Sequence, residues 1–143
     1  MGRALLPHIV TSDSALGGQI IDGSLKFNIA RTNYLKRYVS VDGNKKKWTC
    51  SVWVKRTRIG VQQKILEAGS SGNFLSFEFQ GDDKLQLYGY DGQTRVHLRT
   101  ASLFRDTGAW YHIVVWFDGA EGEARLYVNG SQPPLDVNTQ PTI

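Results

Sequence analysis

Residues 110–118 read Trp-Tyr-His-Ile-Val-Val-Trp-Phe-Asp, a run of aromatic and β-branched side chains. Residues of these types fit a pleated, half-buried surface. Strand alternation sends Tyr111, Ile113, Val115 and Phe117 to one face and Trp110, His112, Val114 and Trp116 to the other. The first set is wholly apolar and is assigned to a core. The second carries an imidazole and two indoles, so it is either buried with polar handles or it binds something. Residues 123–128 read as the next strand, joined by the short Gly-containing hairpin loop 118–122. Asn129-Gly130 then reads as a tight turn, because both residues tolerate positive φ.

Upstream, residues 48–55 give the clearest alternation. It places Trp48, Cys50, Val52 and Val54 toward the core and Thr49, Ser51, Trp53 and Lys55 away from it. Further short strands are expected at 24–27, 34–39, 64–69, 74–79, 85–88 and 96–99. Turn signals stand among them at Asp42-Gly43-Asn44, Gly81-Asp82-Asp83 and Asp91-Gly92. Residues 103–106 read as a linker or a single helical turn, and no amphipathic helix of useful length is evident. With 143 residues, 41% hydrophobic and 15 glycines, the chain reads as one all-β domain, an antiparallel β-sandwich or jelly roll spanning 24–143. Residues 1–23 lack periodicity yet are rich in Leu and Ile. They read as an extended N-terminal arm that packs either on a partner or on its own domain.

The net charge is +4, unevenly spread. Residues 1–64 hold 12 Lys/Arg against 3 Asp/Glu, net +9, and residues 65–143 hold 5 against 10, net −5. Such asymmetry suits a solvated surface, stacking of copies or nucleic-acid binding. The basic set Lys45, Lys46, Lys47, Lys55, Arg56 and Arg58 reads as a solvated face, a contact for an anionic subunit, or a contact for an anionic polysaccharide. Nucleic acid is not expected, because neither a recognition helix nor a stacking platform with basic flanks is evident. No apolar run approaches the roughly 18 residues of a membrane helix, and the apolar segment near the N-terminus is too short for a signal peptide. The single cysteine, Cys50, reads as a buried structural thiol.

The order of these motifs resembles the concanavalin A-like, laminin G-like jelly roll. The motifs are residues 48–55, Ile65-Leu66-Glu67-Ala68-Gly69, Trp110-Tyr111-His112-Ile113-Val114-Val115 and Arg125-Leu126-Tyr127-Val128-Asn129-Gly130. The whole chain is similar to a group of tailed-phage tail-fibre-type virion proteins. There a stretch like Arg3-Ala4-Leu5-Leu6-Pro7-His8 precedes one like Ser24-Leu25-Lys26-Phe27-Asn28. The resemblance implies a virion location, assembly with other virion proteins and with copies of itself, and host-surface glycan attachment. The apolar arm and the basic run together make Arg3, Leu5, Leu6, Pro7, His8 and Ile9, with Lys45, Lys46 and Lys47, the expected assembly interface. The resemblance also implies a sandwich lacking its last strands, since relatives continue beyond the Asn-Gly turn.

Glucanases of this fold carry alternating carboxylates on one strand, and a retaining pair must stand about 5–5.5 Å apart. No such run occurs; Glu67, Glu78, Glu121 and Glu123 read as ordinary surface carboxylates. His8, His97 and His112 lack metal-ligand spacing, Asp82, Asp83, Asp91 and Asp118 read as turn formers, and no phosphate loop is present. The expectation is therefore a protein that is not an enzyme, with no catalytic residues, metal or cofactor. Trp53, His112 and Trp116 share the non-core face with Thr49 and Ser51, and indoles beside polar groups suit a sugar ring. The competing reading covers that face with loops, the arm or a neighbouring subunit. A free-standing lectin module and a glucanase relic are the alternatives to a virion appendage.

Overall fold

The computed structural model describes residues 23–27, 33–38 and 40–142. The chain divides into two compact units, Met1–Ser40 and Val41–Ile143. In the first, residues 23–27 and 33–38 form no strand, which corrects the expectation of ladders at 24–27 and 34–38. Alternation makes a segment strand-compatible, but only partner hydrogen bonds and burial offset the entropy of ordering it. Here Leu25, Phe27, Tyr34 and Leu35 are exposed. Apart from Gly23, the 1–23 arm lies outside the described residues, and Arg3, Leu5, Leu6, Pro7, His8 and Ile9 with it.

The second unit holds eight strands: β1 (Lys47–Val54), β2 (Gln63–Ser70), β3 (Asn73–Phe79), β4 (Leu85–Tyr90), β5 (Thr94–Thr100), β6 (Tyr111–Asp118), β7 (Glu123–Val128) and β8 (Leu135–Thr139). They form two antiparallel sheets, one ordered β1-β6-β7 and the other β2-β3-β4-β5-β8. The chain crosses between sheets after β1, after β5 and after β7. No helix occurs among the described residues.

The core follows the alternation. Ile113 and Val115 of β6 and Leu126 of β7 meet Phe77, Phe79, Leu87 and Leu98 of the opposite sheet, while Trp48, Val52 and Val54 of β1 pack at its margin. Trp48 lies stacked on Phe117 across the β1–β6 register, with centroids 5.2 Å apart. Phe104, from the connection before β6, is buried between Phe79 and Tyr111 at 5.7 and 5.3 Å. The segment expected as a linker or one helical turn forms no helix and plugs the sandwich. Asn129 and Gly130 take φ of 50° and 80°, and Val128 and Ser131 exchange hydrogen bonds across them, so the predicted tight turn is present. At the β2–β3 turn a Cβ on Gly69 would lie 2.3 Å from the Asn73 carbonyl, so only glycine fits.

Two further findings in this unit depart from the sequence reading. The first is β8, which was not anticipated: Asp136 and Asn138 are strand-depleted types, and the segment follows Pro133-Pro134. Pairing with β5 forms it, and Asp136 is tied to Lys84 and Arg99. The second is Arg56, expected in a basic surface set but 1% exposed. Its Nη1 donates to the Phe104 carbonyl at 2.7 Å and its Nε to Gln63 Oε1 at 2.9 Å, while Nη2 lies 3.0 Å from Asp83 Oδ1. The guanidinium also covers the Phe79 ring. Asp83, at φ 69°, accepts the Gly60 N–H at 2.6 Å and pairs with Arg105 at 2.9 Å. The Gly60 N–H, then Arg105 and Arg56, hold its carboxyl below the usual carboxylate range. This turn aspartate is thus a buried tie between three connections.

Candidate ligand-binding face

Three strands build the face. The β1–β6 register sets Trp53 opposite His112, Ser51 opposite Val114 and Thr49 opposite Trp116, and the β6–β7 register sets Trp116 opposite Arg125. Because side chains alternate, all of these stand on the outer side of the three-stranded sheet. The structure brings two of the expected residues, Trp53 and His112, into contact: their rings stack 4.9 Å apart at 25°. His112 Nε2 lies 2.9 Å from Ser51 Oγ, which fixes the imidazole in the plane of the stack. The strand end beneath it is anchored, because the His112 N–H donates to Asn129 Oδ1 and its carbonyl accepts the Asn129 N–H.

Trp116 stands apart from this pair, four residues or about 13 Å along β6. Arg125 lies over its ring at 5.3 Å and donates to Glu123 Oε2 at 3.0 Å. Beyond it, Lys47 and Asp118, also opposite one another, pair at 2.7 Å. That hydrogen bond holds the Asp118 carboxyl low and pushes the Lys47 ammonium up. Trp53 is 54% exposed and so is the most accessible aromatic of the three. The face therefore offers a bare indole with a pinned imidazole at one end and a cation-capped indole at the other.

Residues 28–142 match the family model described as the concanavalin A-like lectin/glucanases superfamily. The chain belongs to this superfamily. No curated protein and no solved structure matches it. The superfamily's description covers lectins and glucanases alike, so membership gives the jelly-roll fold and leaves the chemistry to the residues.

Among the superfamily's two chemistries, hydrolysis depends on carboxylates, and every glutamate singled out from the sequence can be placed. Glu121 lies in the β6–β7 loop, where its charge acts on Lys47. Glu67 pairs with Lys64 on the surface, and Glu123 pairs with Arg125. Glu78 departs from the expectation of a surface carboxylate: it is 3% exposed. It accepts hydrogen bonds from Gln62 at 2.8 Å, Gln80 at 2.6 Å and Gln86 at 3.0 Å. Gln86 Oε1 in turn lies 3.2 Å from His97 Nε2, and Tyr88 meets the His97 ring edge-on at 5.1 Å. Burial pushes the His97 imidazole down. Sequence reasoning missed this polar ladder, which crosses β3, β4 and β5 on the outer side of the five-stranded sheet. Its signal was the interleaving of Ser76 and Glu78 with Phe77 and Phe79, and of Gln86 with Leu85 and Leu87.

The remaining expected residues are dispersed. Lys45 pairs with Asp42 on the surface and Lys46 is exposed, whereas Lys47 is committed to Asp118. Asp91 is paired with Arg95, Asp82 with Arg99. Among the described residues no group of three or more His, Cys, Asp or Glu side chains is placed to hold a metal ion. Cys50 is a free thiol, half-buried on the core side of β1, and burial pushes its pKa up.

Proposed function

We propose that this domain is a non-catalytic carbohydrate-binding module and that it serves a virion appendage, a tail fibre or a similar structure, in host-surface attachment. The glycan reading is carried by one observation: the half-exposed Trp53 indole, stacked on a His112 ring that Ser51 holds in place. A sugar packs its C–H face on such an indole and gives its hydroxyls to the imidazole and hydroxyl beside it. Trp116 and Arg125 extend the same face, so the ligand is an oligosaccharide longer than one ring. Non-catalysis is supported by the commitments of the carboxylates: Glu78 to three amides, Asp118 to Lys47 and Glu123 to Arg125. A glycan array tests the binding. Trp53→Ala and Trp116→Ala, each folded, are expected to lose the signal; retention by both ends the proposal.

The virion setting is supported by the likeness of residues 3–8, 24–28 and the strand motifs to tailed-phage appendage proteins. In that setting the arm joins other virion proteins and copies of the chain, and opposite charge on the two halves of the sequence assists. Sizing by light scattering is expected to show an oligomer that weakens as salt rises. A monodisperse monomer at all salt concentrations would favour a free-standing lectin module.

A further inference from the structure

A second candidate site lies at the other end of the sandwich from Trp53. It is an open cleft of about 170 Å³, lined by Lys45, Lys46 and Arg95 and by the apolar Val96, Phe117 and Pro141. Four segments build it: the lead into β1, the start of β5, the β6–β7 loop and the residues after β8. Two backbone hydrogen bonds lock them together. The Gly119 N–H donates to the Lys46 carbonyl at 2.6 Å, and the Thr142 N–H donates to the Arg95 carbonyl at 3.0 Å. Phe117 is held from behind by its stack on Trp48. Gly119 keeps the mouth open, because a Cβ there would lie 3.0 Å from the Phe117 ring.

The charges are not equally spent. Lys45 is paired with Asp42 and Arg95 with Asp91, both at 2.7 Å. The Lys46 ammonium has no acceptor among the described residues, so the cleft carries one uncompensated cation beside an apolar wall. An inorganic anion would use the cation and waste the wall; a neutral sugar would do the reverse. A uronic-acid ring presents both a carboxylate and an apolar C–H face, and the volume admits a single ring. We propose that this cleft binds a uronic-acid residue of an acidic glycan, with Lys46 meeting the carboxylate and Phe117 the ring. The site does not depend on the Trp53 face: Phe117 points inward where Trp116 points outward, and Lys47 and Trp53 are about 20 Å apart along β1.

The test is an amide-shift titration of the whole chain with sodium glucuronate, glucose and sodium acetate in parallel. Glucuronate is expected to shift the Gly119 and Thr142 amides saturably, and glucose and acetate to bind at least tenfold more weakly. Lys46→Ala, at an exposed position outside any strand, should weaken glucuronate at least threefold, and Trp53→Ala should leave it unchanged. Absence of saturable shifts with glucuronate, acetate as effective as glucuronate, glucose as effective as glucuronate, or full binding by Lys46→Ala would each overturn the proposal.

Discussion

On the outer side of the three-stranded sheet Trp53 stands half in solvent beside His112; on the outer side of the five-stranded sheet Glu78 lies buried among three glutamine amides. Both faces are products of the same alternation, and both mix aromatic with polar residues. They differ in what is left over. The five-stranded face has matched its charge internally, with Glu78 satisfied by donors on three neighbours and Asp136 by Lys84 and Arg99. Such a network stabilises the fold and has little to offer a ligand. The three-stranded face has left apolar ring surface uncovered, which water solvates poorly. Its polar groups are fixed in place around that surface. The proposal of a binding face on the three-stranded sheet thus rests on unspent surface held by spent polar groups.

The comparison breaks if the polar ladder proves dispensable for stability. Glu78→Leu strands the amide donor of Gln86 in a buried setting and removes the acceptor of Gln62 and Gln80, and unfolding in urea is expected to show a loss of about 2 kcal/mol. Glycan binding by the protein that remains folded should be unchanged. The converse holds for Trp53→Ala. Its binding should fall at least tenfold, about 1.4 kcal/mol, while its stability shifts by less than about 1 kcal/mol because half of the ring is already wet. If the first variant lost binding or the second lost the fold, the division between the faces would be wrong.

Acid sharpens it further. The carboxyls of Asp83, Asp118 and Asp136 are all held low in the folded chain, chiefly by the Gly60 N–H, by Lys47 and by Lys84 respectively. A group whose folded pKa is depressed stabilises above its unfolded value, near ~3.9 for Asp, and that stability is lost as pH falls through the folded value. Thermal melts should therefore decline a little between pH 7 and 5, where the unfolded chain protonates His97 more readily than the fold does, and fall further below about pH 4 as these carboxyls protonate. Lys47→Met should lower stability at pH 7, because Asp118 loses its cation, and its cost should shrink as pH falls below about 4. Lys84→Met should do the same more weakly, since Arg99 still faces Asp136 at 3.5 Å. Equal effects would mean that Arg99 does not share the load.

Much of this was legible beforehand. The aromatic and β-branched runs of β1 and β6 exposed their own alternation, so the all-β sandwich, the core side of both strands and the grouping of Trp53 with His112 followed directly. The superfamily match agrees with that reading. Three things were not legible, each for a physical reason. Strands at 24–27 and 34–38 were over-read because alternation does not reveal whether a partner strand exists. β8 was missed because its stability comes from β5 rather than from its own residues. Glu78, Arg56 and Asp83 were read as surface or turn residues, since a charge looks the same in sequence whether water or a buried partner solvates it. Only the fold brought Gln62, Gln80 and Gln86 onto one carboxylate.

The most direct test follows the indole and imidazole signals of the protein by NMR during titration with a glycan that the array identifies. Binding on the three-stranded face should shift the Trp53 and Trp116 indole resonances and the His112 ring, leaving Trp48 and His97 still. Shifts confined to His97, Tyr88 and Phe74 would place the ligand on the five-stranded sheet and contradict the account.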